Sequence, residues 1–463
     1  MLKKIKDKVK VFFKRIINDI KNIRNWKYEK LIVTCLIPVG LLYILLMPPS
    51  QVPDEQAHIL RSYEISEGIL IANKNSKAIV PRDLLTKLKP NVENYTQLNE
   101  NLNSKTDYTD RVELVDSAAP NPFILYQFSS IGFLTARLLG LNIIVGCYLG
   151  KIMNFIFFCI MAYYTLKIIP FGKYVFTVIM FMPMFLHQAT SISADSVLNT
   201  TVMFFIAFVL YLFYKKENVS KKECIVLVVL SCLISVSKYV YTPIIFISAI
   251  MIWTKNMGKK QKITTLCLSF ILPIFLAASY YLLTSNYESA FNEYLTTNNV
   301  DRIGQVQNIV NNPVGYISIL KNTLRDNSLI YARQMVGSSL GWLCIDVTEL
   351  SIDIFIFVLI ASCFVEDNKV SLSIKQKMWS FTIAFSIILL ILTAMYITWT
   401  GVGNNSIDGV QGRYFIPVLF LILLCLCKKS NYIKIKNIQY KLPFILIILN
   451  LPALYAIYRF FNI

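Results

Sequence analysis

Apolar runs of about 18 residues or more recur along this chain, and a run of that length crosses a hydrocarbon core of about 30 Å as a helix. Lipid offers no water to satisfy backbone N–H and C=O groups, so only helices and closed barrels are open to such segments. The composition agrees. Of the 463 residues, 55% are hydrophobic and 16% charged, against roughly 25% charged in soluble domains. The pattern predicts an all-α, polytopic integral membrane protein. About eleven transmembrane helices are expected, near 31–47, 152–169, 174–186, 197–214, 224–236, 239–253, 263–283, 350–365, 378–398, 412–427 and 442–458. Residues 31–463 read as one membrane domain, because no loop is long enough to fold as a separate soluble unit.

The net charge of +19 would suit a polyanionic partner, but its placement does not. Lysines and arginines crowd residues 1–30, 215–223, 255–262 and 428–441, whereas two long polar loops, about 48–150 and 284–349, are acidic on balance. This is the positive-inside pattern. It predicts a cytoplasmic N-terminus and extracytoplasmic loops, with membrane lipids and no nucleic acid as partners. Residues 1–30 form a basic amphipathic cytoplasmic segment, with Ile5, Val9, Phe12, Ile16, Ile20 and Ile23 at helical spacing among lysines. It suits either a helix on the anionic inner leaflet or a plain topogenic tail. The stretch 120–140 is apolar enough to span, but counting it would reverse the charge rule downstream, so a helix along the outer surface is expected. The ten cysteines lie mostly inside apolar runs and lack zinc-ligand spacing.

Polar residues with chemical potential gather on the expected outer side. In PPSQVPDEQAHILRSYEISEGIL, residues 48–70, Asp54, His58 and Arg61 share helical spacing behind Pro53, with Gly68 as a stop. A carboxylate held near a cation stays ionised and can accept a proton. The competing reading is that Asp54 and Glu55 merely cap the helix. In HQATSISADS, residues 187–196, Asp195 is an isolated acid at membrane level, which marks it as functional by default. His187 in that stretch would either ligate a metal or hydrogen-bond a backbone carbonyl. Lys238, in SKYVYTP, suits an anionic lipid headgroup or an anchoring role at the headgroup layer. In GVGNNSIDGVQGRYFIPVL, residues 401–419, a glycine-rich turn leads to Gln411, Arg413 and Tyr414, and a guanidinium fork suits a phosphate. Carboxylates, a lysine and an arginine on one face suit a lipid-phosphate substrate. No P-loop is present to cradle a nucleotide.

The stretches PDEQAHILRSYEISEG, HQATSISADS, SKYVYTP and GVQGRYFIP resemble, in this order, the landmarks of a bacterial membrane-protein family filed as domain of unknown function 2142. The resemblance covers nearly the whole chain. That family looks related to the C-class (GT-C) glycosyltransferases, which use polyprenyl-phosphate sugars as donors on the outer membrane face. The resemblance implies a GT-C-like fold with surface helices in the first outer loop. It also implies an enzyme of the cell membrane that moves a sugar from a polyprenyl-phosphate donor to a cell-surface glycan or glycolipid. Asp54 matches the essential acid of the first outer loop, Asp195 a second acid, and Lys238 a lysine that meets the donor phosphate. On this reading Asp54 deprotonates the acceptor, Glu55 or His58 orients it or binds the acceptor, and Arg413 joins Lys238 on the departing phosphate. Arg61, Gln411 and Tyr414 add substrate contacts. No cofactor is required; a divalent metal, if used, would sit between Asp54 and Asp195. The alternatives are a flippase or other transporter of lipid-linked glycans, and a glycan polymerase.

Overall fold

The computed structural model describes residues 26–88, 94–215, 217–365, 368–429 and 434–462. Of the expected amphipathic segment, residues 1–25 lie outside the described residues. Along the chain come α1 (Tyr28–Leu46), α2 (Glu55–Ser66), α3 (Gln127–Leu138), α4 (Ile143–Ile168), α5 (Lys173–Met180), α6 (Pro183–Ala189), α7 (Ala194–Tyr214), α8 (Lys221–Ser237) and α9 (Lys259–Thr284). There follow α10 (Pro313–Val336), α11 (Glu349–Val365), α12 (Ile374–Thr398), α13 (Ile416–Leu426) and α14 (Ile438–Phe461). Among the described residues, strand content is confined to two small two-stranded antiparallel sheets. Residues Lys77–Pro81 pair with Arg111–Val115, Lys77 facing Val115, and Ser339–Leu340 pair with Ile345–Asp346.

Among the described residues, six helices, α1, α4, α7, α9, α12 and α14, are long and apolar enough to cross a membrane. The protein is thus a multi-pass helical membrane protein. Its hub is α7, whose side chains from Ala194 to Met203 are all buried. At the other extreme, α9 buries only Thr265, Ser269, Pro273 and Ala277 and turns its remaining apolar face outward. Between α8 and α9 the chain runs as a 3₁₀ helix, Tyr239–Trp253, broken for α-geometry by Pro243. At about 2.0 Å rise per residue its 15 residues cover about 30 Å, where an α-helix would cover about 22 Å. A segment short by α-helical standards can therefore traverse the apolar layer.

Several expected boundaries move, each for a physical reason. Helix α4 starts at Ile143 rather than near 152, so the first loop ends earlier than 150. Asn142 caps it by accepting a hydrogen bond from the Ile144 amide at 2.8 Å. Lys151, which breaks the apolar run, is buried inside the helix rather than marking its end. The run 174–186 is two short helices, α5 and α6, because Pro183 restarts the chain at the first turn of α6. The stretch 284–349 is largely helical, carrying Asn292–Thr297, Arg302–Asn311 and the long α10. Residues 120–140 form a 3₁₀ turn, Phe123–Leu125, and α3. The 12 residues of α3 reach about 18 Å, too short to span. Instead α3 lies across α4 at backbone contact: a Cβ on Gly132 would fall 2.2 Å from the Gly150 amide nitrogen.

One buried ion pair fixes the turn between α1 and α2. Lys151 of α4 donates to the carbonyls of Met47 and Pro48 at 3.0 and 3.2 Å and stands 3.5 Å from Glu55 Oε1. That same oxygen accepts from the Ile192 amide at 2.9 Å, just before α7. Trp342 Nε1 donates to Ser50 O at 3.1 Å from a third side. The exit of α1, the start of α2 and the approach to α7 are therefore one rigid junction. Because a lone charge left in such a site is costly, Lys151→Met should destabilise the protein by about 3 kcal/mol. Adding Glu55→Gln should recover part of the loss, measured by denaturant or thermal unfolding in detergent. Strict additivity of the two changes would show that they are not coupled.

Candidate functional site

That junction delivers Asp54 in an unusual backbone state. Its φ is +65°, the left-handed region, immediately after Pro53 and before the first residue of α2. Non-glycine residues held there cost free energy and cluster at functional positions. The Asp54 side chain makes no capping hydrogen bond to its helix. It reaches Arg413 instead, with Nη2 donating to Oδ2 at 2.6 Å. Half of the Asp54 side chain is exposed, whereas the Arg413 side chain is 3% exposed. The acid is thus the accessible end of a pair whose base is buried.

Arg413 sits in a 3₁₀ turn, Gly412–Phe415, at the mouth of α13. The glycine before it is demanded by packing: a Cβ there would meet Tyr331 O at 2.4 Å and Met335 N at 2.5 Å, both on α10. Gln334 of the same helix accepts from the Gly412 amide at 3.1 Å. Arg413 also donates to Pro53 O at 3.3 Å, lies 3.8 Å from Asp195 Oδ2 and stacks on Tyr414 at 5.3 Å. Its Nε has no partner among the described residues. Asp195 stands in the first turn of α7, where a carboxylate complements the helix dipole. Lys238, between α8 and the 3₁₀ segment, donates to Asp195 Oδ1 at 2.5 Å. Two carboxylates and two cations thereby form one charge-balanced chain, Asp54–Arg413–Asp195–Lys238, drawn from four separate stretches of sequence.

Asp54 is held below the ordinary carboxylate value: burial pushes it up, but the Arg413 guanidinium, with His58 and Lys238 nearby, overcomes that. It is ionised at any physiological pH. His58 is buried one helical turn further on, and its Nδ1 is 2.7 Å from the Tyr126 hydroxyl. Asn121 Nδ2 donates to that hydroxyl at 2.8 Å, leaving the phenolic proton for the ring nitrogen. Burial, helped by the Lys238 and Arg413 cations, outweighs the pull of the Asp54 and Asp195 carboxylates and pushes His58 down to about 4. It is a neutral hydrogen-bonding wall of the site.

The other anticipated residues are placed elsewhere. Glu55 is fully buried in the Lys151 junction and has no exposed carboxylate to offer. Arg61 turns away from Asp54, bonding Glu64 at 3.0 Å and the carbonyls of Ile69 and Leu70 at 3.1 and 2.5 Å, where it closes the end of α2. Its expected place on one face with Asp54 fails because Asp54 leaves the helical backbone path. Gln411 flanks the Gly412 turn with a buried, unpartnered Oε1, and the Tyr414 carbonyl accepts from Tyr241 at 2.9 Å. His187 bonds a backbone amide, not a carbonyl: Nε2 accepts from Gly341 at 3.2 Å. For a metal the donors are poor. Asp54 and Asp195 are each already matched by a cation, and no group of three His, Cys, Asp or Glu side chains is arranged for an ion among the described residues.

Lys238 is the outward end of the chain. Its side chain is 30% exposed and lines a cavity of about 510 Å³, with Asn121, Tyr239, Tyr281, Tyr287 and Phe291 on the walls. Asn121 and Tyr126 were invisible as site residues in the apolar stretch PNPFILYQ. Lys151 did carry a signal, as a lone ionisable residue inside an apolar run.

Fold and site define a multi-pass helical membrane protein with a charge-balanced polar cluster at one end of its bundle. The chain belongs to the family described as a predicted membrane protein (DUF2142), which matches residues 37–422. No curated protein and no solved structure matches the chain.

The neutral His58 gives the site a pH signature. Its ordinary value of 6.5 drops to about 4 on folding, so between these values the unfolded chain holds a proton that the folded one refuses. Stability therefore falls as pH falls through this window. Thermal unfolding between pH 7 and 4.5 should show a smaller acid loss in His58→Gln than in wild type. Equal losses would mean that His58 charges freely in the folded protein.

Proposed function

We propose that this protein is a membrane glycosyltransferase of the GT-C kind, moving a sugar from a polyprenyl-phosphate donor to a cell-surface glycan or glycolipid. On this reading about eleven segments cross the cell membrane, the shorter apolar helices included. The N-terminus is cytoplasmic and the charged cluster is extracytoplasmic. One observation carries the proposal: the single half-exposed acid of the cluster, Asp54, is locked onto a buried arginine within electrostatic reach of a lysine that opens on a cavity. An ionised base beside a fixed cation is what glycosyl transfer from a phosphate needs.

The acceptor hydroxyl hydrogen-bonds to Asp54 and attacks the anomeric carbon. The bond from that carbon to the phosphate oxygen breaks, and its electron pair stays on the lipid phosphate. The hydroxyl proton passes to Asp54 and then to water. A phosphate leaves as a stable anion, so no general acid is required, in contrast to glycoside hydrolysis. Lys238, an ammonium with three donors of which Asp195 takes one, supplies the charge that steadies the departing phosphate. Asp195 positions that ammonium. Arg413 is too deeply buried to grip the phosphate and acts instead through Asp54, holding it ionised and in place. The reaction on these residues calls on no cofactor.

The test is transfer from a labelled polyprenyl-phosphate sugar to a membrane acceptor extract by the reconstituted protein. Asp54→Asn should lower the transfer rate by about 10²–10⁴, the usual worth of a general base. Lys238→Gln should lower it by about 10². Undiminished transfer by Asp54→Asn would remove the acid from the mechanism. Carrier translocation by wild type without any transfer would replace the enzyme with a transporter.

A further inference from the structure

At the end of the bundle opposite the charged cluster, a groove of about 850 Å³ is lined by the opening turns of α8 and α9. Its walls are apolar, with Ile225, Val228, Val229 and Leu268 facing the open side. Its rim carries Lys221, Lys259 and Lys260, from the first turns of both helices. None of the three has a carboxylate within ion-pair distance among the described residues. Of the neighbouring basic groups, Lys215 pairs with Glu223 at 2.8 Å and Lys262 donates to Ile252 O and Thr254 O. The rim lysines stand where helix dipoles disfavour positive charge, and α9 has no acidic residue in its first turn. The arrangement is electrostatically unbalanced as it stands. Negative charge from outside the chain would balance it.

We propose that this groove is a binding site for an anionic glycerophospholipid, its headgroup phosphate among Lys221, Lys259 and Lys260 and an acyl chain along Val228, Val229 and Leu268. The apolar floor selects a lipid over a free anion, and the unpaired lysines select an anionic lipid over a zwitterionic one. The site is remote from Asp54 and stands independently of the glycosyltransferase reading.

The test uses full-length protein in nanodiscs of phosphatidylcholine doped with phosphatidylglycerol, followed by release into detergent and mass spectrometry of retained lipid. Each lysine near a lipid surface contributes about fivefold in affinity, so wild type should retain phosphatidylglycerol over phosphatidylcholine by roughly a hundredfold. The triple variant Lys221→Gln, Lys259→Gln, Lys260→Gln should retain the two lipids alike. Val229→Trp keeps every charge at a position that is 49% exposed, and should displace the acyl chain and lower retention if the triple variant does not fold. Equal retention of both lipids by wild type would overturn the proposal. So would unchanged selectivity in the folded triple variant, unchanged retention in Val229→Trp, or displacement of the lipid by millimolar inorganic phosphate.

Discussion

A buried guanidinium shared between two carboxylates organises this protein's polar end. Arg413 lies 2.6 Å from Asp54 and 3.8 Å from Asp195, and its side chain is almost wholly sealed from solvent. A charge in such a place survives only when it is paired. The four stretches around it are therefore obliged to meet. The left-handed backbone at Asp54, the dipole-aligned Asp195 and the glycine at 412 are the local conditions of that meeting. The buried Lys151–Glu55 pair behind them ties the exit of α1, the start of α2 and the approach to α7 together.

This division of labour sets the character of Asp54. Its tight arginine contact keeps it ionised, yet a carboxylate so stabilised is a weak base by Brønsted standards. Such a group serves best where proton transfer comes late, after the bond to the leaving group has begun to open and the attacking hydroxyl has become acidic. On the proposed glycosyltransferase reading, a phosphate leaving group steadied by Lys238 would provide that order of events. Neutral His58 adds a hydrogen-bonding wall without adding a third positive charge.

Much of this was legible in the sequence, and the failures are specific. Hydropathy located the long helices because burial in lipid leaves an unmistakable apolar length. The stretches around Asp54, Asp195, Lys238 and Arg413 stood out because ionisable residues at membrane level, away from the basic cytoplasmic ends, are rare. Individual roles were harder. Glu55 and Asp54 are adjacent and chemically alike, and only the left-handed turn between them sends one to solvent and the other to Lys151. Arg61 kept its helical spacing, but the spacing argument presumed that Asp54 was on the helix. Tyr126 and Asn121 were hidden among apolar neighbours, since nothing in a linear pattern says which aromatic hydroxyl will meet a histidine. The apolar run 239–253 was legible as a span, but its 3₁₀ geometry was not, since hydropathy does not distinguish one helix type from another.

The central claim is that Arg413 holds Asp54 as the ionised base of a transferase. The pH–rate profile of sugar transfer in the reconstituted protein tests it most directly, compared between wild type and Arg413→Gln. The account predicts a wild-type profile that stays flat down to about pH 5, and an acid limb that moves to higher pH once the guanidinium is gone. An acid limb that is the same in both proteins would contradict it.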